Sequence, residues 1–351
     1  MATKAQSNRL DWMDALRGVG ALIVVIYHGS RFFDPIRFLG PHVAVDLFFV
    51  LSGAILAQVY EPRFARGLSV MGFMGQRLMR LMPVYVIGTS ITLVWMLLLK
   101  FAQTPNAALN PALVSWQNLL LIPAPGSATP HQALFPLNIP AWTLLAELIV
   151  NLVFAFIWRS WRTMLAITVA AFIGLAVDGY IECHLNVGYT WPTAWVGLLR
   201  VLFGFFMGVF LFRLRDRFPR VRSNVWLILL LFLASISIPL AHHRWILDLA
   251  LIAVFYPVLM ILGYQARPSE RFAPVWKTLG FISYPLYSLH YGFLVIYAGV
   301  GHHVPLIYQS APWSGFVLLA AAAAASYVVA RWDEALRSSQ AMRLKRAPSP
   351  S

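Results

Sequence analysis

DWMDALRGVGALIVVIYHGSRFF (residues 11–33) and, after a short turn, GPHVAVDLFFVLSG (40–53) are apolar runs that nevertheless carry charge. Arg17 and His28 lie eleven positions apart. At ~100° and ~1.5 Å per residue they share one helix face, about 16 Å apart along its axis. Asp14 joins that face one turn before Arg17. A guanidinium facing hydrocarbon costs roughly 2.5–3.5 kcal/mol, so the stripe is expected to face the protein interior or a water-filled cavity, as a functional site does. The competing reading lets Arg17 snorkel to the headgroups with Asp14 as its partner. His28 and Asp46, added to the same two helices, favour the functional reading.

The rest of the chain is of one kind with this stretch. Hydrophobic residues make up 60% of it and charged ones 11%, against about 25% charged in soluble domains, and the mean hydropathy is +0.70. That composition is a polytopic membrane protein's. The opening MATKAQSNRLDWMD has no apolar core closed by a cleavage site, so no removable signal peptide is expected. Cys183 is the single cysteine, which rules out an intramolecular disulfide and a cysteine metal cluster.

Ten apolar stretches have the roughly 17–25 residues that cross a bilayer: 12–31, 43–60, 82–101, 139–158, 163–181, 195–213, 224–241, 245–263, 278–299 and 314–331. With the N-terminus inside, 21 of the 27 Lys and Arg residues fall in cytoplasmic segments. The expectation is therefore an all-α protein of about ten transmembrane helices around an internal cavity, with both termini cytoplasmic. Positive-inside sorting also accounts for the net charge of +14 without any nucleic-acid partner. A transmembrane domain is expected over 1–333 and a basic, disordered tail over 334–351, where RSSQAMRLKRAPSPS would touch anionic lipid. The longest loop, 102–138, holds six prolines and no Lys or Arg. Its apolar SWQNLLLI (115–122) is too short to span, so it lies along the outer interface or dips back over the bundle. The loop is either a lid over a site or a mobile connector.

At this point the sequence resembles the acyltransferase-3 family, membrane enzymes that O-acylate carbohydrates and related hydroxylated acceptors. The resemblance rests first on Arg17, ten residues and then His28, preceded by LDWMDALRG, and continues through VDLFFVLSG (45–53) and RLMRLMPVY (77–85). It goes on through WTLLAE (142–147), RVLFGFFMG (200–208) and ISYPLYSLH (282–290), in order along nearly the whole chain. It implies an enzyme of the bacterial cytoplasmic membrane. Acyl-CoA would serve as donor substrate, with no permanently bound cofactor, and a carbohydrate or glycolipid as acceptor.

Arg77 and Arg80, three apart, can grip phosphate oxygens bidentately. Juxtamembrane arginines are also what positive-inside sorting predicts; the resemblance adds weight by placing an Arg-x-x-Arg pair here and associating it with the acyl-CoA donor. Asp46 and Glu147 sit among apolar neighbours and need partners. Arg200 is the candidate for one of them. Glu147 is expected either to orient the catalytic imidazole or to contact the acceptor. His290 ends the block around Pro285, which is expected to kink its helix, and Tyr284, Tyr287 and Ser288 would line the same space. The adjacent His242–His243 and His302–His303 pairs have no matching third ligand, so no metal is assigned. A Gly-x-Ser-x-Gly elbow, a His-Glu-x-x-His helix and a P-loop are all missing from the sequence.

Together these readings give an O-acyltransferase that moves an acyl group, acetyl first of all, from acyl-CoA to a glycan hydroxyl. Arg77, Arg80 and Arg17 would hold the donor phosphates while the thioester reaches His28. An imidazole with its ordinary pKa of ~6.5 can act there as general base; an acyl-imidazole intermediate is the competing route. From another class, a transporter would use the same Arg, His and Glu stripe as a permeation path. The lack of an internal repeat counts against it.

Overall fold

The computed structural model describes residues 2–38, 40, 42–101, 111–218, 223–238, 244–266 and 269–346, with the backbone alone for 2–11, 111–112 and 340–346. Apart from one isolated antiparallel bridge between Ala133 and Thr190, the described residues are helical or irregular. In hydrocarbon every backbone N–H and C=O must be satisfied within its own segment, which leaves helices as the solution for apolar runs of this length.

The principal helices are α1 (Ala2–His28), α2 (His42–Ala65), α3 (Val70–Phe101), α4 (Pro111–Leu119), α5 (Ala141–Ile157), α6 (Trp161–Glu182), α7 (Ala194–Leu214) and α8 (Val225–Ser237). α9 (Arg244–Ala250) passes through a π turn into α10 (Tyr256–Gln265), and α11 (Ala273–His303) and α12 (Trp313–Arg346) complete the bundle. The apolar stretches read from the sequence overlap these helices, with 245–263 divided between α9, the π turn and α10, and with 239–241 outside the described residues. Seven helical segments among the described residues are long and apolar enough to cross a membrane, while α5 and α8 are shorter apolar helices. Large apolar side chains such as Leu98, Phe156, Ile173, Leu230, Val254 and Val328 point outward, as lipid-facing positions should.

Two close helix crossings position the site. A Cβ on Gly18 of α1 would strike the Leu279 carbonyl of α11, and one on Gly280 would strike the Asp14 side chain. Glycines at both places let the two backbones meet. In the second crossing, a Cβ on Gly53 of α2 would meet the Phe205 carbonyl of α7, and one on Gly208 would meet the Val50 carbonyl. The inner faces are filled by aromatic clusters, including Tyr60, Phe64, Phe73, Phe154 and Phe205.

Three of the sequence readings gain detail here. α3 runs through Pro83, so the helical turn that carries Arg77 and Arg80 belongs to the third long helix. α11 likewise runs through Pro285 as one helix. α12 continues across the boundary at 333/334 to Arg346, with Arg337 paired to Asp333 one turn earlier; residues 347–351 lie outside the described residues. Of the long loop, 111–138 is folded onto the bundle. Asn118 accepts a hydrogen bond from Leu137 N at 3.2 Å, and Asn138 donates to the Ser288 carbonyl at 3.1 Å. SWQNLLLI forms the end of α4 and the turn after it, with Val114 and Leu121 inward and Leu113, Trp116 and Leu120 outward. Residues 102–110, and with them Pro105, lie outside the described residues, as do Arg220, Arg222, His242, His243 and Arg267.

Candidate active site

The last residue of α1, His28, meets His290 of α11 across the bundle. His28 Nδ1 and His290 Nε2 are 3.0 Å apart, with the two rings nearly parallel. The network settles the tautomers. His290 Nδ1 lies 2.8 Å from the Tyr287 carbonyl and 3.2 Å from the Leu286 carbonyl. A carbonyl only accepts, so Nδ1 of His290 carries the proton and its Nε2 is an acceptor. His28 must then donate from Nδ1, which leaves the lone pair of His28 on Nε2. That imidazole borders a cavity of about 410 Å3 whose wall includes Tyr27, His42, Trp142, Asn186, Arg200 and Tyr287.

Two buried ion pairs adjoin this cavity. Arg200, 2% exposed, grips Asp46 with Nε at 3.0 Å and Nη2 at 2.8 Å. Its remaining donors reach the Val187 carbonyl at 2.9 Å and the His42 carbonyl at 3.0 Å, and its guanidinium sits over the Trp142 ring. Of the two carboxylates proposed for Arg200, the partner is Asp46. Beside it, Asp248 accepts from Arg244 Nε at 2.9 Å and from His42 Nε2 at 2.7 Å. Sequence reasoning missed His42 and Asp248. The Arg244–Asp248 spacing of four, opening an apolar helix, was the available signal.

A second cavity, of about 250 Å3, is lined by Arg17, Arg63, Arg77, Arg80, Glu147 and Tyr284 among others. Its arginines are not equivalent. Arg77 is buried and donates to Glu147 Oε1 at 2.8 Å, while Ser52 Oγ donates to the same oxygen at 2.6 Å. Glu147 is thus engaged by Arg77 and Ser52, and His28 takes His290 as its partner. Arg80 is exposed and makes no salt bridge among the described residues. Arg17 reaches Asp14 at 3.4 Å, and both also border a third cavity with Lys277, Asp333 and Arg337.

The first two cavities share Val45, Thr143 and Tyr287 as a common wall. Thr143 Oγ1 and the Tyr287 hydroxyl are hydrogen-bonded across it at 2.9 Å. Ser288, expected in the cavity, is buried against α3 instead, its Oγ directed at the Val84 carbonyl. Among the described residues no group of three His, Cys, Asp or Glu side chains is placed to hold a metal ion. The arrangement is a polycationic chamber and an imidazole chamber, back to back along α1.

A family model described as an acyltransferase domain matches residues 10–331. Among characterised proteins, "Protein 2 in picA locus" of Rhizobium radiobacter is 34% identical over 174 residues, which are 46% of this chain and 88% of that protein. "Exopolysaccharide production protein ExoZ" of Rhizobium meliloti (strain 1021) is 28% identical over 172 residues, 47% of this chain and half of that protein's length. No solved structure matches. The family match takes in both chambers and the helices that build them, and on it the chain belongs to the acyltransferase-3 family and is an integral-membrane acyltransferase.

Proposed function

We infer that the protein transfers an acyl group, acetyl first of all, from acyl-CoA to a hydroxyl of an envelope polysaccharide or glycolipid. The observation that carries this reading is the pairing of an arginine-lined chamber with an imidazole whose Nε2 meets no hydrogen-bond donor among the described residues. Coenzyme A is a polyanion with a long neutral arm. Arg17 and Arg80, with Arg63 beside them, suit its phosphates. Arg77 holds the chamber wall through Glu147. The pantetheine arm would pass Val45, Thr143 and Tyr287 to bring its thioester to His28. A polysaccharide acceptor is favoured by the exopolysaccharide-production name of one relative, and by an outer chamber that offers Trp142 and Tyr27 rings together with the Asn186 amide.

Ten spans with both termini in the cytoplasm put the arginine chamber on the side where acyl-CoA is found. A cysteine at Ser127 in a Cys183→Ala background should label with an impermeant maleimide in intact spheroplasts, and one at Asp216 should not. The reverse pattern would move the donor to the wrong side.

The reaction itself is tested with purified protein, radiolabelled acetyl-CoA and alkali-deacylated envelope polysaccharide from the source cells. Release of CoA with label in the polysaccharide is expected. An intact thioester would favour the transporter reading of the same charged path.

A further inference from the structure

The outer chamber holds a second histidine, built in as carefully as the first. His42 opens α2 and lines the same 410 Å3 cavity as His28. It is fixed at two points. Its carbonyl accepts from Arg200 Nη2 at 3.0 Å, and its Nε2 lies 2.7 Å from Asp248 Oδ2. Asp248 is itself fixed, because its other oxygen accepts from Arg244 Nε at 2.9 Å, and Arg244 Nη1 is anchored on the Ile238 carbonyl at 2.7 Å. The carboxylate accepts, so His42 Nε2 carries the proton and Nδ1 carries the lone pair. No hydrogen bond to that Nδ1 is made among the described residues. An imidazole held by a carboxylate on one nitrogen and open on the other is the arrangement of a general base.

One base would suffice if the acceptor hydroxyl attacked the thioester directly. A second, independently oriented one has a use if His28 Nε2 is occupied when the hydroxyl arrives. Resting on the acyltransferase reading above, we propose that the Asp248–His42 pair is a second catalytic base, which takes the acceptor's hydroxyl proton while His28 carries the acyl group.

In the first step His28 Nε2 attacks the thioester carbonyl; the C–N bond forms, the C–S bond breaks and CoA leaves as thiolate. The Nδ1 proton of His28 passes to His290 Nε2, leaving a neutral acyl-imidazole. In the second step the acceptor oxygen bonds to the acyl carbon as its proton moves to His42 Nδ1. The C–N bond breaks and His290 returns the proton to His28 Nδ1. The proton on His42 then leaves to solvent and balances the CoA thiolate, so that acyl-CoA and alcohol have become ester and free CoA.

The test separates the two steps. Wild type, His28→Gln, His42→Gln and Asp248→Asn are incubated with radiolabelled acetyl-CoA without acceptor, then chased with alkali-deacylated envelope polysaccharide from the source cells. His42→Gln should release CoA, hold the label on His28 and pass it on at least ~100-fold more slowly than wild type. His28→Gln should take no label. Asp248→Asn preserves volume and covers the case in which His42→Gln fails to fold. Arg244 Nε keeps the amide oxygen on its side and turns the amide NH2 toward His42, which moves the ring proton to Nδ1 and blocks the base. It should hold the label and chase slowly too. A chase at the wild-type rate in a folded His42 or Asp248 variant would overturn the proposal. So would loss of labelling together with transfer, which is what a merely structural pair predicts, or transfer by wild type with no labelled protein in any variant. A wild type that releases no CoA would instead sink the underlying acyl-CoA reading.

Discussion

The two chambers along α1 use the same residue types to opposite ends. In the arginine-lined one Arg17, Arg63, Arg77 and Arg80 face Glu147, so positive charge is in excess and aimed at a cavity. In the histidine-lined one Arg200 is matched by Asp46 and, beside it, Arg244 by Asp248, pair by pair. Buried charge there is paired locally, and the imidazoles of His28 and His42 border the cavity beside the clamped Arg200. Excess charge suits a polyanionic donor; cancelled charge suits a neutral hydroxyl and a group that must exchange protons. The lesson is that a buried arginine is informative through its partner. Arg200 and Arg77 each grip a carboxylate on a neighbouring helix, Asp46 and Glu147.

The comparison breaks most severely at the clamps. Arg200→Ala strands Asp46, 3% exposed, and removing one partner of a buried pair costs about 3–5 kcal/mol. The expected outcome is loss of folded protein, seen as a collapse in detergent-solubilised yield and melting temperature. A stable, active Arg200→Ala protein would mean that the histidine-lined chamber does not depend on its clamp.

His28→Gln should fold and still bind acyl-CoA, because glutamine keeps both hydrogen-bonding functions. Transfer should fall by at least ~100-fold, since a carboxamide replaces neither a base nor a nucleophile near neutral pH. Turnover near wild type at matched membrane abundance would remove His28 from the reaction.

His290→Phe probes the partner alone. It removes the acceptor for the His28 Nδ1 proton, worth about 0.5–1.5 kcal/mol as one hydrogen bond, so kcat should drop by roughly tenfold. The apparent KM for acyl-CoA should stay where it is. A KM change without a kcat change would make His290 a cavity wall and nothing more.

The smallest effect is expected at Arg80. Exposed and without a salt bridge among the described residues, it should contribute binding made equally in ground and transition states. Arg80→Ala then raises the donor KM by a few fold with kcat unchanged. Arg77→Ala should behave differently, losing stability through Glu147 before any change in KM can be read. Equal behaviour of the two would erase the distinction between clamp and working arginine.

The stripe from Arg17 to His28 was legible because helical periodicity is local: eleven residues of spacing decide a shared face whatever else the chain does. Legible in the same way were the apolar runs that became helices, and the oddity of Asp46, Glu147 and Arg200 among apolar neighbours. Their partners were not. Asp46 and Glu147 were equally open to Arg200, and the choice of Asp46 follows from how α2 turns against α7. That rotation is set by the contacts of Gly53 with the Phe205 carbonyl and Gly208 with the Val50 carbonyl. His28 meets His290 across 262 residues of chain, at a depth fixed where Gly18 and Gly280 let α1 and α11 touch. Composition and spacing by themselves determined that this is a helical membrane protein with a charged inward stripe, since transfer energies and helix pitch act residue by residue. Which imidazole is held by which partner, and so which nitrogen is left with a lone pair, was decided only by the tertiary structure, because hydrogen bonds between helices depend on rotations and depths that no single segment contains.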